Sequence, residues 1–232
     1  MEPIQEAAPI APAGAPLNKV LGGSFAWMAL GLFVSALTAI GVLFIPSVIE
    51  FILNTRFGFL AMFLIELGIV IYLTKRIATM TVAWARLFFI LYSIVSGVTL
   101  MVIFLAFELS SIFTIFLSTT VMFGVLALYG SRTKRDLTKI GRLAGFALIG
   151  LVLASIINLF IHGTIFDLVL SWIGVIVFVV LIAYDVQKIK KLAAVALTPE
   201  DVKKASVLGA LTLYLDFINL FLNLLRIFGR RK

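Results

Sequence analysis

The most constraining feature of the chain is an aspartate, Asp216, inside an otherwise apolar run at residues 208–228 (LGALTLYLDFINLFLNLLRIF). A carboxylate at the depth of a bilayer costs at least ~2.5 kcal/mol on insertion scales, so it needs a partner, a water-filled cavity or a proton. Four more polar residues lie at helical spacing before and after it and form, with Asp216, one polar stripe: Thr212, Asn219, Asn223 and Arg226. Such a stripe must face protein or water, so we predict that other helices surround this one.

The composition predicts a polytopic membrane protein. Hydrophobic residues make up 62% of the 232-residue chain and the mean hydropathy is +1.19, whereas charged residues are 13%, about half of the ~25% typical of globular domains. A net charge of +8 would suggest nucleic-acid binding in a soluble protein, but here the basic residues cluster in short loops, where they set orientation. We therefore expect no nucleic-acid partner. The chain has no cysteine and one histidine, His162, which argues against a thiol or histidine metal site.

We predict an all-α fold of seven transmembrane helices. Seven runs are long and apolar enough to span a bilayer: 24–45, 57–74, 86–106, 111–130, 143–162, 165–187 and 206–228. The sixth run is long and leaves room for a short re-entrant or interfacial piece at 166–172. Residues 1–23, rich in Ala and Pro, are predicted to be a disordered tail, and residues 24–232 the transmembrane domain. The tail lacks the basic start of a cleavable signal peptide.

Lys and Arg in the short loops predict the orientation. The even loops and their edges are basic, with Lys75, Arg76, Arg86, Arg132, Lys134, Arg135, Lys139, Arg142, Lys188, Lys190, Lys191, Lys203 and Lys204. The odd loops hold one basic residue, Arg56, so the N-terminus is expected in the cytoplasm. The basic C-terminus, RIFGRRK, conflicts with seven full spans: either the last segment is re-entrant or the upstream loops dominate. We favour seven spans.

Asp185 closes the sixth run, in VLIAYDVQKIKK, on the same side as the start of the seventh. Because these two segments are antiparallel neighbours, Asp185 and Asp216 are predicted to meet. Two close carboxyl groups in a medium of low dielectric tend to share a proton, which makes a pH-sensitive element. The alternatives are that Asp185 pairs with Lys188 one turn on, and that Asp216 pairs with Arg226 or another helix.

Glu66 lies inside the second span and must also face the bundle or a cavity. Lys75 and Arg76, further along, are either ordinary anchors at the membrane surface or a latch that holds Asp185 charged. Hydroxyl and small residues on one face of the third and fifth spans are interpreted as helix-packing positions, with His162 an interfacial side chain. They are Ser93, Ser96, Gly97, Ser155 and Asn158.

The motifs of common hydrolases and nucleotide-binding enzymes, HExxH, GxSxG and the P-loop, do not occur in the sequence. A paired-aspartate intramembrane protease is only half matched, because Tyr184–Asp185 fits its first motif while Leu215, and not Gly, precedes Asp216. We therefore expect that the chain is not an enzyme.

Five segments resemble the Bax-inhibitor family of membrane proteins, also called the transmembrane Bax-inhibitor-motif family. They are MFG at 122–124, LYG at 128–130, TKRDL at 133–137, AYDVQKIK at 183–190 and LTLYLDFINLFLNLLRIFG at 211–229. The last is the most specific, and the likeness covers all of the chain except the tail. The segment between Asp185 and Asp216 looks longer than in some bacterial relatives.

The resemblance implies a fold in which a central seventh helix is wrapped by the other six. It also implies a calcium leak that responds to pH, with Asp185 and Asp216 as the sensor pair. Lys75 or Arg76 would be the latch, and Glu66 would lie on the ion path. Calcium is then the transported ion, held weakly and transiently at Asp185, Asp216 and Glu66, because it favours oxygen ligands. No cofactor or tight metal site is expected.

Two other functions remain open from the sequence. The chain could be a non-conducting modulator that acts through protein partners, in membrane-protease control or cell-death suppression. A proton-coupled exporter of small solutes is the weaker possibility. The expected surroundings are a lipid bilayer, with calcium, protons and other membrane proteins as candidate partners. The expected location is the plasma membrane, or inner membrane, of a bacterium.

Overall fold

The computed structural model describes residues 15–54, 58–161 and 163–232, and these ranges fold into eight α-helices. The helices are α1 (Ala15–Val42), α2 (Pro46–Asn54), α3 (Gly58–Arg76), α4 (Val82–Ala106), α5 (Leu109–Arg132), α6 (Thr138–Ile161), α7 (Thr164–Val195) and α8 (Pro199–Phe228). The predicted all-α class is confirmed. Six of the helices, α1 and α4 to α8, are long and apolar enough to cross a membrane. The predicted second span corresponds to α3, which is shorter and is not among these six.

Several helix boundaries differ from the predicted ones. Helix α1 begins at Ala15, so residues 15–23 of the predicted tail are helical, and residues 1–14 lie outside the described ranges. The short helix α2 was not predicted. Helix α7 continues unbroken from Thr164 to Val195, which corrects both the suggested break at 166–172 and the predicted end at 187.

The predicted sixth loop is mostly helical, because α8 begins at Pro199 and not at 206. The hydroxyl of Thr198 accepts a hydrogen bond from the Asp201 N–H at 3.1 Å, and the Asp201 carboxylate accepts one from the Thr198 N–H at 3.1 Å. This capping box satisfies N–H groups that the first helical turn leaves without partners, and proline suits the first helical position. The lysines assigned to that loop therefore lie on the last turns of α7 and the first turns of α8.

Helix α8 is the most buried of the six membrane-length helices. It packs against α1, α7, α5 and α4, with a smaller contact to α3. Helix α6 packs against α7 instead of closely against α8, so the described helices do not all wrap α8 equally. Large side chains of α8 such as Tyr214, Phe217 and Leu220 are almost fully buried.

The outer surface of the bundle is apolar, as a bilayer requires. Helix α6 shows this best, since Leu143, Phe146, Ile149 and Leu153 are all more than half exposed. A water-soluble protein rarely exposes so much contiguous apolar surface. The helices therefore turn their hydrocarbon side chains outward and keep the buried polar ones between them.

Gly97 allows α4 to approach α1 closely, as its assignment to a packing face predicted. A Cβ atom at this position would lie 2.6 Å from the carbonyl oxygen of Ser35 and 2.7 Å from Cβ of Thr38. The backbone oxygen cannot move aside without shifting α1. Gly124 on α5, by contrast, has nothing within 4 Å of such a Cβ.

We predict that Gly97→Ala lowers the midpoint of thermal unfolding in detergent, because overpacking against backbone typically costs about 1–3 kcal/mol. Gly124→Ala is the matched control, and it should be neutral or stabilising by up to ~1 kcal/mol, since alanine favours helix more than glycine does. Equal melting midpoints for the two variants would contradict the close approach of α1 and α4.

Candidate functional site

The carboxyl groups of Asp185 on α7 and Asp216 on α8 lie close enough to share a hydrogen bond. Both side chains are buried, with 7% and 4% of their surface exposed. A carboxylate can only accept hydrogen bonds, so a bond between two carboxyl groups needs a proton on one of them. Oδ2 of Asp216 is buried and receives no N–H or hydroxyl donor from the described residues. The structure thus brings the two predicted residues together, in an arrangement that a shared proton would satisfy.

Lys188 is the cation whose charge acts on this aspartate pair. It follows Asp185 by one turn of α7. Lys188 is the residue with which Asp185 would pair under the alternative hypothesis from the sequence. Lys75 and Arg76 end α3 with exposed side chains. Within the described ranges neither forms an ion pair with Asp185 or Asp216, so their role as a latch stays a prediction.

The rest of the polar stripe extends along the same side of α8, toward α7. The amide of Asn223 fills the space opposite Gly174, where an added Cβ would lie 2.6 Å from Oδ1 of Asn223. Arg226 forms an ion pair with Asp167 of α7 at 3.7 Å. The alternative pairing of Asp216 with Arg226 is therefore wrong, because Asp216 lies beside Asp185 of α7 whereas Arg226 pairs with Asp167 near the other end of that helix.

The two remaining members of the stripe bond to their own helix. Nδ2 of Asn219 donates to the carbonyl oxygen of Leu215 at 2.8 Å, and the hydroxyl of Thr212 donates to that of Leu208 at 3.1 Å. Both are half-buried. Local bonds of this kind satisfy a polar side chain inside a membrane helix without a partner on another helix.

Glu66 lies apart from the aspartate pair. Its carboxylate accepts a hydrogen bond from the Thr99 hydroxyl at 2.7 Å, which links α3 to α4, and its charge acts on Tyr92 and Tyr214. Tyr214 and Asp216 are two residues apart, so their side chains leave α8 about 200° apart. Glu66 therefore approaches the face of α8 opposite to the one that carries the predicted sensor pair.

That opposite face carries a buried hydroxyl cluster of Tyr214, Ser35 and Ser96. The phenol oxygen of Tyr214 lies 2.7 Å from Oγ of Ser35 on α1 and donates to Oγ of Ser96 on α4 at 3.0 Å. Oγ of Ser35 also donates to the carbonyl oxygen of Ser93 at 2.6 Å. The sequence identified Ser93 and Ser96 as packing positions but missed Tyr214 and Ser35, because an isolated Tyr or Ser in an apolar run gives no periodic signal.

Comparison with known proteins decides the family. A family model described as "Inhibitor of apoptosis-promoting Bax1" matches residues 17–232. The chain belongs to the Bax-inhibitor family. It is 40% identical over 220 residues to the inner membrane protein YbhL of Escherichia coli K12, covering 94% of each chain. It is 38% identical over 216 residues to an uncharacterized protein of Rickettsia prowazekii, covering 93% of this chain and 91% of that one.

A third relative, from Borreliella burgdorferi, is 36% identical over 216 residues, with 93% of each chain covered. The matches extend across the whole helical bundle, and one relative carries the name of an inner membrane protein. Together with the six membrane-length helices, they make this Bax-inhibitor family member an integral membrane protein. The resemblance seen in the five sequence segments is confirmed.

Two of those segments meet in this Bax-inhibitor family member. Oε1 of Gln187 on α7 accepts a hydrogen bond from the Leu137 N–H at 2.9 Å, while its amide donates to the carbonyl oxygen of Arg135 at 2.9 Å. Lys191 forms an ion pair with Asp136 at 3.2 Å. Hydrogen bonds and an ion pair therefore hold the α5–α6 turn against α7, beginning two residues beyond Asp185. We call this set of contacts, formed by Gln187 and Lys191 with residues 135–137, the clasp.

The clasp does not respond to pH near neutrality. Hydrogen bonds from Thr138, and to a smaller extent from Lys191, hold the pKa of the Asp136 carboxyl below its ordinary value. A depressed pKa means that the contribution of Asp136 to stability is present above its unfolded pKa and is lost only as the pH falls through the folded one. A change in behaviour between about pH 5 and pH 8 must therefore come from another group.

We predict that Tyr214→Phe destabilises the bundle by about 1–3 kcal/mol, because it removes a buried phenol that bonds to hydroxyl groups of both α1 and α4. The measurement is the midpoint of thermal unfolding in detergent. Tyr129→Phe on α5, where the side chain is 49% exposed, is the control and should stay within about 0.5 kcal/mol of the parent. An unchanged midpoint for Tyr214→Phe would show that the hydroxyl cluster does not hold α8.

Proposed function

We propose that the chain is a pH-sensitive calcium leak channel, gated by the proton that Asp185 and Asp216 share. The observation that carries this proposal is the close approach of two buried carboxyl groups between α7 and α8. Membership of the Bax-inhibitor family supports it, since the resemblance implies a pH-dependent calcium leak. No reaction chemistry is required: the protein moves an ion and makes or breaks no covalent bond.

The proposed gate acts through electrostatics. With one proton the two carboxyl groups hold α7 and α8 together, and without it two negative charges face each other in a medium of low dielectric and repel. Proton occupancy thus sets the spacing of α7 and α8 at the end of the bundle near Lys188. That end is taken as the cytoplasmic one.

The transmembrane arrangement proposed with this mechanism has seven spans, with α3 as the second and α8 in the middle. Helix α8 follows the length of α4: at its start Lys204 donates to the carbonyl oxygen of Ala78 in the α3–α4 turn at 3.3 Å. Beyond its other end the carbonyl oxygen of Arg230 accepts from the Glu108 N–H in the α4–α5 turn at 2.9 Å. This supports a fully spanning last helix. Helix α3, 19 residues long, would reach about 28 Å, close to the ~30 Å of a hydrocarbon core.

Calcium is proposed to pass by Glu66 and the aspartate pair, with transient contacts to oxygen atoms. In the described ranges no three carboxyl groups cluster as a metal site would require. Few ligands mean weak sites, and conduction requires an ion to leave as easily as it enters.

Replacement of either aspartate should remove the pH response. We expect the calcium flux into liposomes holding the purified protein to change between about pH 5 and pH 8, and to become flat in Asp185→Asn and Asp216→Asn. An amide is neutral at every pH, so neither variant can switch between a shared proton and two charges. Asp167→Asn is the matched control, because it removes a carboxylate of α7 that pairs with Arg226 away from the sensor pair, and it should keep the response.

Two outcomes would reject the mechanism. Retention of the full pH response in both sensor variants would eliminate the gate. Absence of flux above that of protein-free liposomes at every pH would eliminate the channel and favour the non-conducting modulator, whose function needs a protein partner.

Glu66→Gln should lower the calcium flux several-fold at every pH while leaving the shape of the pH profile unchanged. The reason is that Glu66 bonds to Thr99 on the far side of α8 from the sensor pair, so it would contribute to the path and not to the gate. Glu50→Gln, on exposed α2, makes the same charge change away from the bundle interior and should conduct like the parent. If Glu66→Gln conducts as much calcium as Glu50→Gln and the parent protein do, Glu66 does not lie on the ion path.

A further inference from the structure

A cavity of about 780 Å³ opens between the first turns of α4 and α8. Thr81 and Arg86 contribute to its wall from α4, and Thr198, Glu200 and Lys203 contribute from α8. It lies at the end of the bundle where the α3–α4 and α7–α8 turns meet. The sensor pair and Glu66 are not part of its lining.

The guanidinium of Arg86 is held in place at this cavity. It lies over the ring of Trp27 on α1, 5.2 Å from the ring centroid, in a cation–π contact. Nε of Arg86 is buried and has no hydrogen-bond acceptor among the residues described. A buried donor without an acceptor is costly, and a planar guanidinium is suited to bind an anion through two oxygens.

A second cation and the N-termini of two helices add to the positive electrostatic potential of the cavity. Lys203 lies on the opposite wall, one turn into α8. Thr81 caps α4 and Thr198 caps α8, so both helices direct their positive N-terminal ends toward the cavity. By themselves helix starts attract an anion only weakly, but here they reinforce two side-chain cations.

The one carboxylate in the wall is already paired. Glu200 forms an ion pair with Lys204 at 3.0 Å, on the next turn of the same helix. The charge left for a ligand is therefore that of Arg86 and Lys203. Basic residues at this end also set orientation in a membrane protein, but orientation does not require two cations that line one open cavity or a buried guanidinium nitrogen without an acceptor.

We propose that this cavity binds a phosphate group, either free or carried by the headgroup of an anionic lipid. Arg86 would hold two phosphate oxygens, Lys203 would neutralise the remaining charge, and the first turns of α4 and α8 would add backbone donors. The inference goes beyond the proposed calcium leak and does not depend on it, since binding at this site needs no ion flux.

The test measures binding directly in two parallel arms. Protein in an uncharged detergent is titrated with inorganic phosphate, against chloride at equal ionic strength, and its thermal unfolding is followed by tryptophan fluorescence. In the second arm, native mass spectrometry counts the lipids that the protein retains from nanodiscs containing phosphatidylglycerol or phosphatidylcholine. Stabilisation by inorganic phosphate supports a free anion, and selective retention of phosphatidylglycerol supports a lipid headgroup, because a ligand that binds only the folded state raises its stability.

Arg86→Gln should weaken the binding at least about tenfold, since it removes a bidentate charge-assisted contact. Arg86→Lys should weaken it less, because it keeps the charge and loses the fork. Lys203→Gln tests the site without disturbing the Trp27 contact and should also weaken binding. Lys139→Gln at the start of α6 makes the same charge change outside the cavity and should stay within about twofold of the parent.

The proposal fails if neither inorganic phosphate nor phosphatidylglycerol binds better than its control. It fails equally if Lys139→Gln weakens binding as much as Arg86→Gln does, since the attraction would then belong to the basic surface in general. Loss of phosphate binding with an unchanged calcium flux would separate this site from the leak.

Discussion

Polar side chains inside a membrane protein must find their partners within the protein, and the rest of this bundle is arranged around that requirement. Three polar side chains of α8 meet α7. Asp216 meets Asp185, Asn223 fills the space at Gly174, and Arg226 pairs with Asp167. These three contacts follow one another along a single helix–helix seam. Apolar side chains of α1, α4 and α5 can then pack around α8 without facing a charge.

The face of α8 opposite this seam is also polar, in a different way. There Tyr214 joins α1 and α4 through hydroxyl groups, and Glu66 lies nearby on α3. A displacement of α8 relative to α7 therefore cannot leave the α1–α4 side untouched, because α8 is a rigid helix bonded on both sides. This connects the proposed gate at the aspartate pair with the proposed ion path at Glu66, without a chain of intermediate side chains.

The sequence predicted the fold class from its apolar runs and the family from the five segments that resemble it. It also predicted that Asp185 and Asp216 meet, because helical periodicity shows which residues share a face and antiparallel neighbours share an end. It did not predict which residue pairs with Arg226, since that depends on the register between two helices. Hydropathy also placed the start of α8 too late: the signal was the pattern Thr198, Pro199, Asp201, which caps a helix that extends beyond the apolar run. The cavity at Arg86 forms where two turns that are distant in sequence come together, so no local sequence pattern could predict it.

The position of α8 at the centre has a consequence for biosynthesis. Helix α8 is the most buried of the membrane-length helices and follows α1 to α7 in the chain, so those seven helices leave the ribosome before it. Until then, Asp185, Ser35 and Ser96 lack the partners that α8 supplies. Until α8 inserts, these polar groups must be solvated or bonded to other groups. A chain interrupted before residue 199 would therefore leave these three side chains without the partners that α8 supplies.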